Sequence, residues 1–419
     1  MSILRINGGR ELLGSVRVHG AKNAVLPILA ASLLAGGETA IHNCPDLSDV
    51  GAAIKILNHL GCRATLNNGT ASINSEALSR LDIPHDLMRE MRSSVIFLGA
   101  VLARGGEAKL SMPGGCELGP RPVDIHLQAL RELGAEIHEE GGNIICRAGH
   151  LRGTRVNLSF PSVGATENTM LAASLAEGTT IITNAAREPE IWDLQCYLRT
   201  LGVSVHGAGT PTITIVGTKV RTGAEHRIIP DRIVASTLLT AAAVTKSDVE
   251  VTDVIPKHLS TVTSALSDMG CDIQLGSNSI RIKSDGKLRA IRPVITEPYP
   301  GFPTDVQPQL MAAALKAEGT TVFVENIFEN RFRHAEELRR LGASIKVEGR
   351  VAIVTGVTRL SGAQVKSTDL RGGAALVVAA LSAEGTTEVS ALEHLDRGYD
   401  GLEKSLASLG ADIQRTRQL

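Results

Sequence analysis

Six residues that recur at nearly the same place in a repeated pattern are the first candidates for chemistry in this chain. Each lies 37–42 residues before a glycine that closes a Leu-Gly-Ala sequence or a variant of it, and each precedes an Ala-rich apolar stretch. Such a stretch predicts a helix, and a helix N-terminus offers free N–H groups and partial positive charge to an anion. The pattern therefore predicts an anion-binding site that includes Asn23, Arg92, Gly164, Arg232, Asp305 and Arg371.

A simpler explanation of any one of these positions stays open. Taken alone, Asn23, Asp305 or Asp369 would be only a helix cap, and a single arginine would be a solvated surface residue. Recurrence in six repeats favours the anion site over these separate explanations.

Cys116 is the second candidate, because its setting differs from that of the other five cysteines. It lies in a loop rich in glycine and proline, residues 112–122, which is too polar to be core. The neighbouring Arg121 favours the thiolate, and the glycines would let the loop act as a lid. From the residues alone, a reactive thiol and an inert exposed thiol are equally open. The other cysteines lie in apolar or helical patterns and are expected to be packing residues: Cys44, Cys62, Cys146, Cys196 and Cys271.

The elements that position these residues follow from the closing glycines, which are 68–73 residues apart: Gly61, Gly134, Gly202, Gly270, Gly342 and Gly410. Each repeat has an Ala-rich helix, a Gly-Thr turn, a strand, a polar-faced helix that ends at the closing glycine, and further strands. Since the Ala-rich helix is apolar all round, it is expected to be buried. We therefore predict an α/β fold with two domains of three repeats each, whose helices lie inside and whose sheets face outward.

The repeats also predict the domain boundaries. Residues 22–229 are expected to form one domain, which carries the Cys116 loop, and residues 230–419 together with 1–21 the other. The chain would cross between the domains near residues 20–22 and 229–231. These two short connections would serve as a hinge.

Composition indicates a large soluble protein and argues against several functions. The 419 residues are 43% apolar and only 2% aromatic, with a formal net charge of −1. We therefore expect no nucleic-acid partner, because there are few aromatic side chains on which bases could stack and no excess of positive charge to bind a polyanion. The sequence shows no long apolar segment and no signal-peptide pattern, which favours a cytoplasmic protein that binds no membrane. The cysteines lack metal-binding spacing, and the twelve histidines are scattered and expected at the surface. No cofactor-binding motif is present, so no cofactor is expected and Cys, Asp, Lys and Arg are left for the chemistry.

Eight motifs along the whole chain resemble those of the UDP-N-acetylglucosamine 1-carboxyvinyltransferases, a family of enolpyruvyl transferases. In chain order they are Gly20-Ala21-Lys22-Asn23-Ala24, Pro113-Gly114-Gly115-Cys116 continued by Arg121-Pro122-Val123-Asp124, Ser162-Val163-Gly164-Ala165-Thr166, Glu188-Pro189-Glu190, Phe302-Pro303-Thr304-Asp305, Glu329-Asn330-Arg331-Phe332, Thr368-Asp369-Leu370-Arg371 and Asp396-Arg397-Gly398-Tyr399. The resemblance implies the inside-out α/β barrel shared with 5-enolpyruvylshikimate-3-phosphate synthase. It also implies the first committed step of peptidoglycan synthesis, in which phosphoenolpyruvate and UDP-N-acetylglucosamine give the enolpyruvyl ether and phosphate.

The resemblance further implies a role for each matched residue. Lys22, Arg121 and Arg397 would surround the phosphate of phosphoenolpyruvate, and Arg371 with Arg397 would bind its carboxylate. Cys116, the target of fosfomycin, would protonate the methylene carbon. Asp305 would accept the proton of the sugar 3′-hydroxyl, and Arg331 would support the site. The nucleotide sugar would be bound by Asn23, Arg92, Arg121, Pro122, Val123, Asp124, Ile125, Ser162, Val163 and Ile327.

Four positions depart from the commoner family pattern and leave every proposed catalytic residue in place: Glu117, Pro120, Phe160 and Val234. Two other functions stay open. One is a transferase of the same fold with another acceptor, such as shikimate 3-phosphate or a nucleoside, which the cysteine loop and Lys22-Asn23 disfavour. The other is a non-catalytic scaffold that binds nucleotide sugars. This function is disfavoured by the joint presence of four residues: Cys116, Asp305, Lys22 and Arg397.

Overall fold

The computed structural model describes residues 2–91, 93–111, 123–220 and 222–417 of the chain. These residues divide into two compact units. The first unit lies within residues 20–229, and the second combines residues 2–19 with residues 230–417. The second unit therefore includes the first two strands of the chain, β1 (Ser2–Asn7) and β2 (Leu12–Arg17).

Strands and helices alternate along the first unit. Its strands are β3 (Glu38–His42), β4 (Arg63–Asn67), β5 (Thr70–Asn74), β6 (Asp82–Ile83), β7 (Glu107–Ser111), β8 (Glu136–Glu140), β9 (Asn143–Arg147), β10 (Arg155–Asn157), β11 (Thr179–Thr183), β12 (Ser204–His206), β13 (Thr212–Val216) and β14 (Glu225–Arg227). Its helices are α1 (Lys22–Ala31), α2 (Ser48–His59), α3 (His85–Glu90), α4 (Phe97–Gly105), α5 (Asp124–Glu132), α6 (Val163–Ala173) and α7 (Pro189–Thr200).

The four-stranded sheets of the first unit share one topology. Their strand orders are β14-β3-β5-β4, β6-β7-β9-β8 and β10-β11-β13-β12. In each sheet the first pair is parallel and the other two pairs are antiparallel. Because β14 pairs with β3, the last strand of the unit completes the sheet that contains its first strand.

The second unit has the same arrangement. Its further strands are β15 (Lys246–Thr252), β16 (Asp272–Leu275), β17 (Ser279–Asp285), β18 (Leu288–Arg289), β19 (Val294–Ile295), β20 (Ala317–Glu318), β21 (Thr320–Val324), β22 (Ser344–Glu348), β23 (Val351–Thr355), β24 (Gln364–Lys366), β25 (Thr386–Ser390) and β26 (Asp412–Arg417). Its helices are α8 (Arg232–Ala243), α9 (Ser260–Asp268), α10 (Gln307–Ala314), α11 (His334–Arg340), α12 (Leu370–Leu381) and α13 (Leu402–Ser408). The four-stranded sheets run β16-β17-β15-β2, β19-β21-β23-β22 and β24-β25-β1-β26, and β18 pairs with β20.

The Ala-rich helices are the buried ones, as the sequence predicts. In α1, α8 and α12 every residue is buried except one, which lies in the first turn: Asn23, Arg232 and Leu370 respectively. All eight residues of α10 are buried. Small alanine side chains let these helices pack closely against one another, and α10 with α12 forms the largest helix–helix contact in the second unit. In α1, α8 and α12 the first turn is thus the part of the helix that reaches the surface.

The six closing glycines end helices, which confirms their predicted role. They follow α2, α5, α7, α9, α11 and α13, and their φ angles lie between +86° and +110°. An L side chain is strained in that region, so glycine is the residue suited to ending a helix there. Within the described ranges no helix is both long and apolar enough to cross a membrane.

Candidate functional site

Lys22 is the first residue of α1, and its side chain is almost fully buried. Its Nζ lies 2.7 Å from Oδ2 of Asp49 on α2, and the two side chains are 9% and 0% exposed. Because the pair has lost its hydration, removing one partner leaves an uncompensated buried charge and costs about 3–5 kcal/mol. Asp49 therefore sets the direction of the Lys22 ammonium group. Asn23, the next residue, is half-buried.

Asn168, fully buried on α6, joins three segments of the first unit. Its Oδ1 accepts a hydrogen bond from the backbone N–H of Gly99 at 2.8 Å. Its Nδ2 donates to the carbonyl oxygen of Val95 at 2.9 Å and to Nδ1 of His126 at 2.8 Å. One amide thus holds the start of α4, the start of α5 and the helix α6 together.

These segments carry residues that the sequence assigns to the nucleotide sugar. α5 begins at Asp124 and includes Ile125. α6 begins at Val163 and is capped by Ser162, whose Oγ accepts from the N–H of Ala165 at 3.3 Å. The glycine at position 164 permits the approach of the two helices, since a Cβ there would lie 2.9 Å from Cε1 of His126. Val123, Ile125, Ser162 and Val163 are half-buried and Asp124 is exposed.

Four predicted site residues lie outside the described residues: Arg92, Cys116, Arg121 and Pro122. Two of the positions that depart from the family pattern, Glu117 and Pro120, lie there as well. The roles given to these residues therefore stay predictions.

Asp305 lies between two buried arginines in the second unit. Its Oδ1 accepts a hydrogen bond from Nη2 of Arg331 at 2.9 Å, and its Oδ2 accepts one from Nη2 of Arg371 at 3.2 Å. The arginine side chains are 2% and 3% exposed, whereas the carboxylate keeps 28% of its surface. Asp305 is not the cap of α10, whose N-cap residue is Val306. A partly exposed carboxylate held from both sides is suited to accept a proton from a bound hydroxyl.

Asp369, by contrast, is a helix cap. Its Oδ1 accepts hydrogen bonds from the backbone N–H groups of Arg371 and Gly372, both at 3.0 Å, at the start of α12. Burial acts to raise the pKa of Asp369, but the charge of Arg331, together with His334 and the capping N–H, outweighs burial and lowers it. The ionised carboxylate therefore anchors the helix that carries Arg371.

His334 is fully buried beside Arg331. Its Nδ1 lies 3.1 Å from the carbonyl oxygen of Arg331, which assigns the ring proton to Nδ1. Burial, helped by the charge of Arg331 and opposed by Asp369, lowers the pKa of His334 to about 4. The expectation of surface histidines is wrong for His334 and for His126, which are 0% and 8% exposed. His334 bonds a backbone carbonyl and His126 bonds the side chain of Asn168 on another helix. The scattered positions of the histidines along the chain do not reveal these partners.

Tyr399 supports Arg371 from another direction. The guanidinium carbon lies 5.5 Å from the centre of the Tyr399 ring, a cation–π arrangement. The Tyr399 hydroxyl lies 2.9 Å from the hydroxyl of Thr237 on α8 and accepts from Nε2 of Gln309 on α10 at 3.0 Å. Nε and Nη1 of Arg371 have no hydrogen-bond partner among the described residues. Arg371 therefore carries two buried donors from which no described residue accepts.

The two remaining predicted residues of the second unit are half-buried. Arg397 ends a short 3₁₀ helix, Leu395–Arg397, two residues before Tyr399. Ile327 lies in the turn after β21, where its N–H donates to Oε1 of Glu325 at 2.9 Å. Hydrogen bonds thus join Asp305 to Arg331 and Arg371, and Ile327 lies in a turn fixed by a buried carboxylate.

The described cysteines are unsuited to chemistry. Cys44, Cys62, Cys146 and Cys271 are buried and Cys196 is half-buried, and all are free. Burial raises the pKa of these thiols, to about 12 for Cys44 and Cys146 and to about 11 for Cys271. They are protonated and inert at neutral pH, which agrees with the packing role predicted for them.

A buried carboxyl group also lies on α6. Glu167 is 6% exposed, and its Oε1 has no hydrogen-bond partner in the part of the chain that the structure describes. Burial, followed by the charges of Glu190 and Glu188, raises its pKa well above the usual value. No group of three His, Cys, Asp or Glu side chains among the described residues is arranged to hold a metal ion.

Several residues that organise the site were not identified from the sequence: Asp49, His126, Asn168, Glu325 and His334. For His126, Asn168 and Glu325 a partner lies on another element, so spacing along the chain gives no signal. The hydrogen-bond partner of His334 is the nearby backbone carbonyl of Arg331, which every sequence offers. Asp49 is different, because it lies on the same stripe of α2 as Ala52, Ala53 and Ile56, all buried. A charge on an apolar helix face indicates a buried partner, and that signal was present in the sequence.

The chain is similar over nearly its whole length to proteins of known activity. A family model described as EPSP synthase (3-phosphoshikimate 1-carboxyvinyltransferase) matches residues 6–406. UDP-N-acetylglucosamine 1-carboxyvinyltransferase 2 of Caldanaerobacter subterraneus subsp. tengcongensis is 51% identical over 415 residues, which cover 99% of this chain and 100% of that protein. The protein of the same name from Staphylococcus saprophyticus is 47% identical over 421 residues, which cover 100% of both chains.

A solved structure has a very similar fold. The enolpyruvyl transferase NikO from Streptomyces tendae superposes with a TM-score of 0.89 at 28% sequence identity, and the match covers 99% of each chain. The mixed α/β fold described above is therefore one that a known enolpyruvyl transferase adopts.

Proposed function

The chain belongs to the family of EPSP synthase (3-phosphoshikimate 1-carboxyvinyltransferase), the enolpyruvyl transferases, and we propose that its acceptor is UDP-N-acetylglucosamine. In this reaction the enolpyruvyl group of phosphoenolpyruvate passes to the sugar 3′-hydroxyl and phosphate is released, which is the first committed step of peptidoglycan synthesis. The observation that carries the choice of acceptor is the 47–51% identity, over nearly the whole length, to proteins named for it.

The cations of the two units are assigned to the anionic groups of phosphoenolpyruvate. Lys22, held by Asp49, and Arg397 are assigned with Arg121 to the phosphate. Arg371 is assigned with Arg397 to the carboxylate, and the fixed position of the Arg371 guanidinium between Asp305 and Tyr399 supports this choice. A small, highly charged anion is bound strongly by fixed cations and forked guanidinium donors, because their orientation is set before the ligand arrives.

Proton transfers accompany both the addition step and the elimination step. A general acid, assigned to Cys116, adds a proton to the methylene carbon while Asp305 takes the proton of the 3′-hydroxyl, whose oxygen bonds to the central carbon. The tetrahedral adduct then loses phosphate, which carries away the proton held by Asp305, while the thiolate assigned to Cys116 takes a proton back from the new methyl group, so the double bond returns and both groups regain their starting protonation states. The partial exposure of Asp305 and its two guanidinium partners support its role as the base.

The nucleotide sugar is assigned to the segments that Asn168 joins in the first unit. These carry Asp124, Ile125, Ser162 and Val163, and the assignment extends to Asn23, Val123 and Ile327, together with Arg92, Arg121 and Pro122. The N-terminus of α6 carries the partial positive charge of a helix end, which is suited to a diphosphate. Support for this part of the proposal is the shared hydrogen-bond network around Asn168.

We also propose that the fold is the inside-out α/β barrel, with three repeats in each of two domains that correspond to the two compact units. The common topology of the four-stranded sheets and the buried Ala-rich helices support this proposal. The free cysteines support a reducing compartment, and we propose the cytoplasm.

A second acceptor, shikimate 3-phosphate, is favoured by one observation, which is the description of the family model itself. The test is phosphate release from phosphoenolpyruvate with each acceptor in turn. We expect release with UDP-N-acetylglucosamine, unchanged by a chelator, and none above background with shikimate 3-phosphate. Equal rates with both acceptors, or release only with shikimate 3-phosphate, would refute the proposed acceptor.

A further inference from the structure

Glu325 is a fully buried carboxylate that no role proposed above uses. It lies directly after β21 and is 0% exposed. Its two oxygens lie 3.1 and 3.0 Å from the hydroxyl of Thr304, which donates to them, and its Oε1 accepts from the backbone N–H groups of Ile327 and Phe328 at 2.9 and 3.0 Å. The partners that the structure describes for this carboxylate are all neutral donors. Burial of an ion on neutral donors is unfavourable unless the donors are well placed, so the arrangement needs an explanation.

One side of the arrangement fixes the chain at Thr304, directly before Asp305. The Thr304 hydroxyl is held by Glu325, and its carbonyl oxygen accepts from Nε and Nη2 of Arg331 at 3.2 and 2.9 Å. The N–H of Gln307 donates to the same carbonyl at 3.3 Å. The side chain and the backbone of Thr304 are thus held from opposite sides. The position of the Asp305 carboxylate relative to Arg331 follows from that anchor.

The other side of the arrangement fixes the turn after β21. Because Oε1 of Glu325 binds the N–H groups of Ile327 and Phe328, the turn cannot shift without losing bonds to a buried ion. The Phe328 ring in turn lies 5.6 Å from the guanidinium carbon of Arg331. One carboxylate therefore connects the segment of Asp305 with the turn of Ile327, and both meet Arg331.

We propose that Glu325 is a positioning residue that holds the base Asp305 and the sugar-contacting turn at Ile327 in fixed relation. The inference rests on the proposed function, because it assigns both segments to the nucleotide sugar. Glu325 touches no reactant itself. It acts through Thr304 on the orientation of the base and through the turn on the binding of the sugar.

The test separates these two effects by steady-state kinetics with UDP-N-acetylglucosamine. Thr304→Val replaces only a hydroxyl by a methyl group, so we expect kcat to fall by about 10–100-fold, as for a base misplaced by a fraction of an ångström to one ångström. KM for the sugar should change little, because the turn keeps its bonds. Thr304→Ser keeps the hydroxyl and should restore kcat to within about threefold of the parent. Glu325→Gln keeps one acceptor oxygen and should lie between the parent and Thr304→Val.

Thr321→Val is the matched control. Thr321 is a buried residue of β21 whose hydroxyl accepts from the N–H of Ile291 at 3.3 Å, a residue to which no role in the site is assigned. It should lower the melting temperature and leave kcat and KM unchanged. A parent-like kcat in Thr304→Val, or an equal loss of kcat in Thr321→Val, would overturn the inference.

Failure of the proposed function would look different. A parent protein that releases no phosphate with UDP-N-acetylglucosamine refutes the proposed function, whatever the variants do. The same variants are then compared with shikimate 3-phosphate. A kcat that is again lower in Thr304→Val than in Thr304→Ser would support the proposal that Glu325 positions Asp305. Equal kcat values in the two variants would refute it.

Discussion

Replacement of the buried His334 should change the pH dependence of stability in a defined window. In the folded protein burial and Arg331 lower the pKa of this histidine from 6.5 to about 4. The unfolded chain therefore binds a proton near pH 6.5, and the folded chain does so only near pH 4. The contribution of His334 to the unfolding free energy is fully present above pH 6.5. It is lost as the pH falls towards 4, because the unfolded state binds more protons than the folded state in that range.

The size of the effect follows from the shift. At 1.36 kcal/mol for each pKa unit, the fall from 6.5 to about 4 corresponds to about 3 kcal/mol of unfolding free energy. Asp369 does not mask this loss, because its pKa is lowered from 3.8 and its contribution is lost only at lower pH. His334→Asn keeps a donor for the Arg331 carbonyl and removes the titrating ring. We expect this variant to be less stable than the parent at pH 7 and to lose about 3 kcal/mol less between pH 7 and pH 4.

Urea unfolding followed by circular dichroism at several pH values measures the unfolding free energy at pH 7 and its decrease between pH 7 and pH 4. His85→Asn serves as the control, because the His85 side chain is 60% exposed and lies in the other unit. That variant should follow the parent at every pH. If the difference between the parent and His334→Asn were the same at pH 7 and pH 4, the buried neutral histidine would not be the cause of the acid sensitivity.

Three further predictions concern the first unit and the cysteine loop. Asp49→Asn should lower kcat/KM for phosphoenolpyruvate by about 10–100-fold, since Lys22 loses its orienting charge. The control Glu90→Gln, which breaks the exposed pair with Lys55, should leave kcat/KM unchanged, and equal effects of the two changes would contradict the role of Asp49. Glu167→Gln should raise the melting temperature, by more at pH 8 than at pH 5, because the raised pKa of Glu167 in the folded protein means that the parent loses stability as the pH rises. A gain in melting temperature that does not depend on pH would contradict this reasoning. Cys116→Asp should keep activity and resist fosfomycin, which should alkylate Cys116 in the parent, and mass spectrometry that finds the label on a buried cysteine would show the assignment to be wrong.

Local patterns in the sequence predicted the elements well, because the forces that set them act between near neighbours. An apolar, Ala-rich stretch has no polar face to present to water, so the burial of α1, α8 and α12 could be read from composition. A glycine after a helix signals a left-handed backbone position, and all six closing glycines adopt one. The strands after these glycines also lie where the alternating residues predict them, such as Ser344–Glu348.

Roles that depend on distant partners could not be predicted in the same way. Asp305 and Asp369 occupy similar positions before a helix, and a cap was open for both. Only Asp369 is a cap, because Arg331 and Arg371 hold the Asp305 carboxylate instead. The difference depends on side chains that arrive from other elements. For the same reason no pattern indicated the amide of Asn168 or the carboxylate of Glu325.

The pairing of β1 has a consequence for biosynthesis. β1 lies between β25 and β26, where Leu4 is opposite Val389 and Ile6 is opposite Ile413. On the ribosome this strand is made before the first unit, but its partners β25 and β26 are made after the entire first unit has been translated. The first unit can complete its sheets during translation, whereas the sheet that contains β1 must wait until β26 has been made. Until then a strand with the apolar residues Leu4 and Ile6 stays without its sheet, so the nascent protein depends on protection of β1 from aggregation.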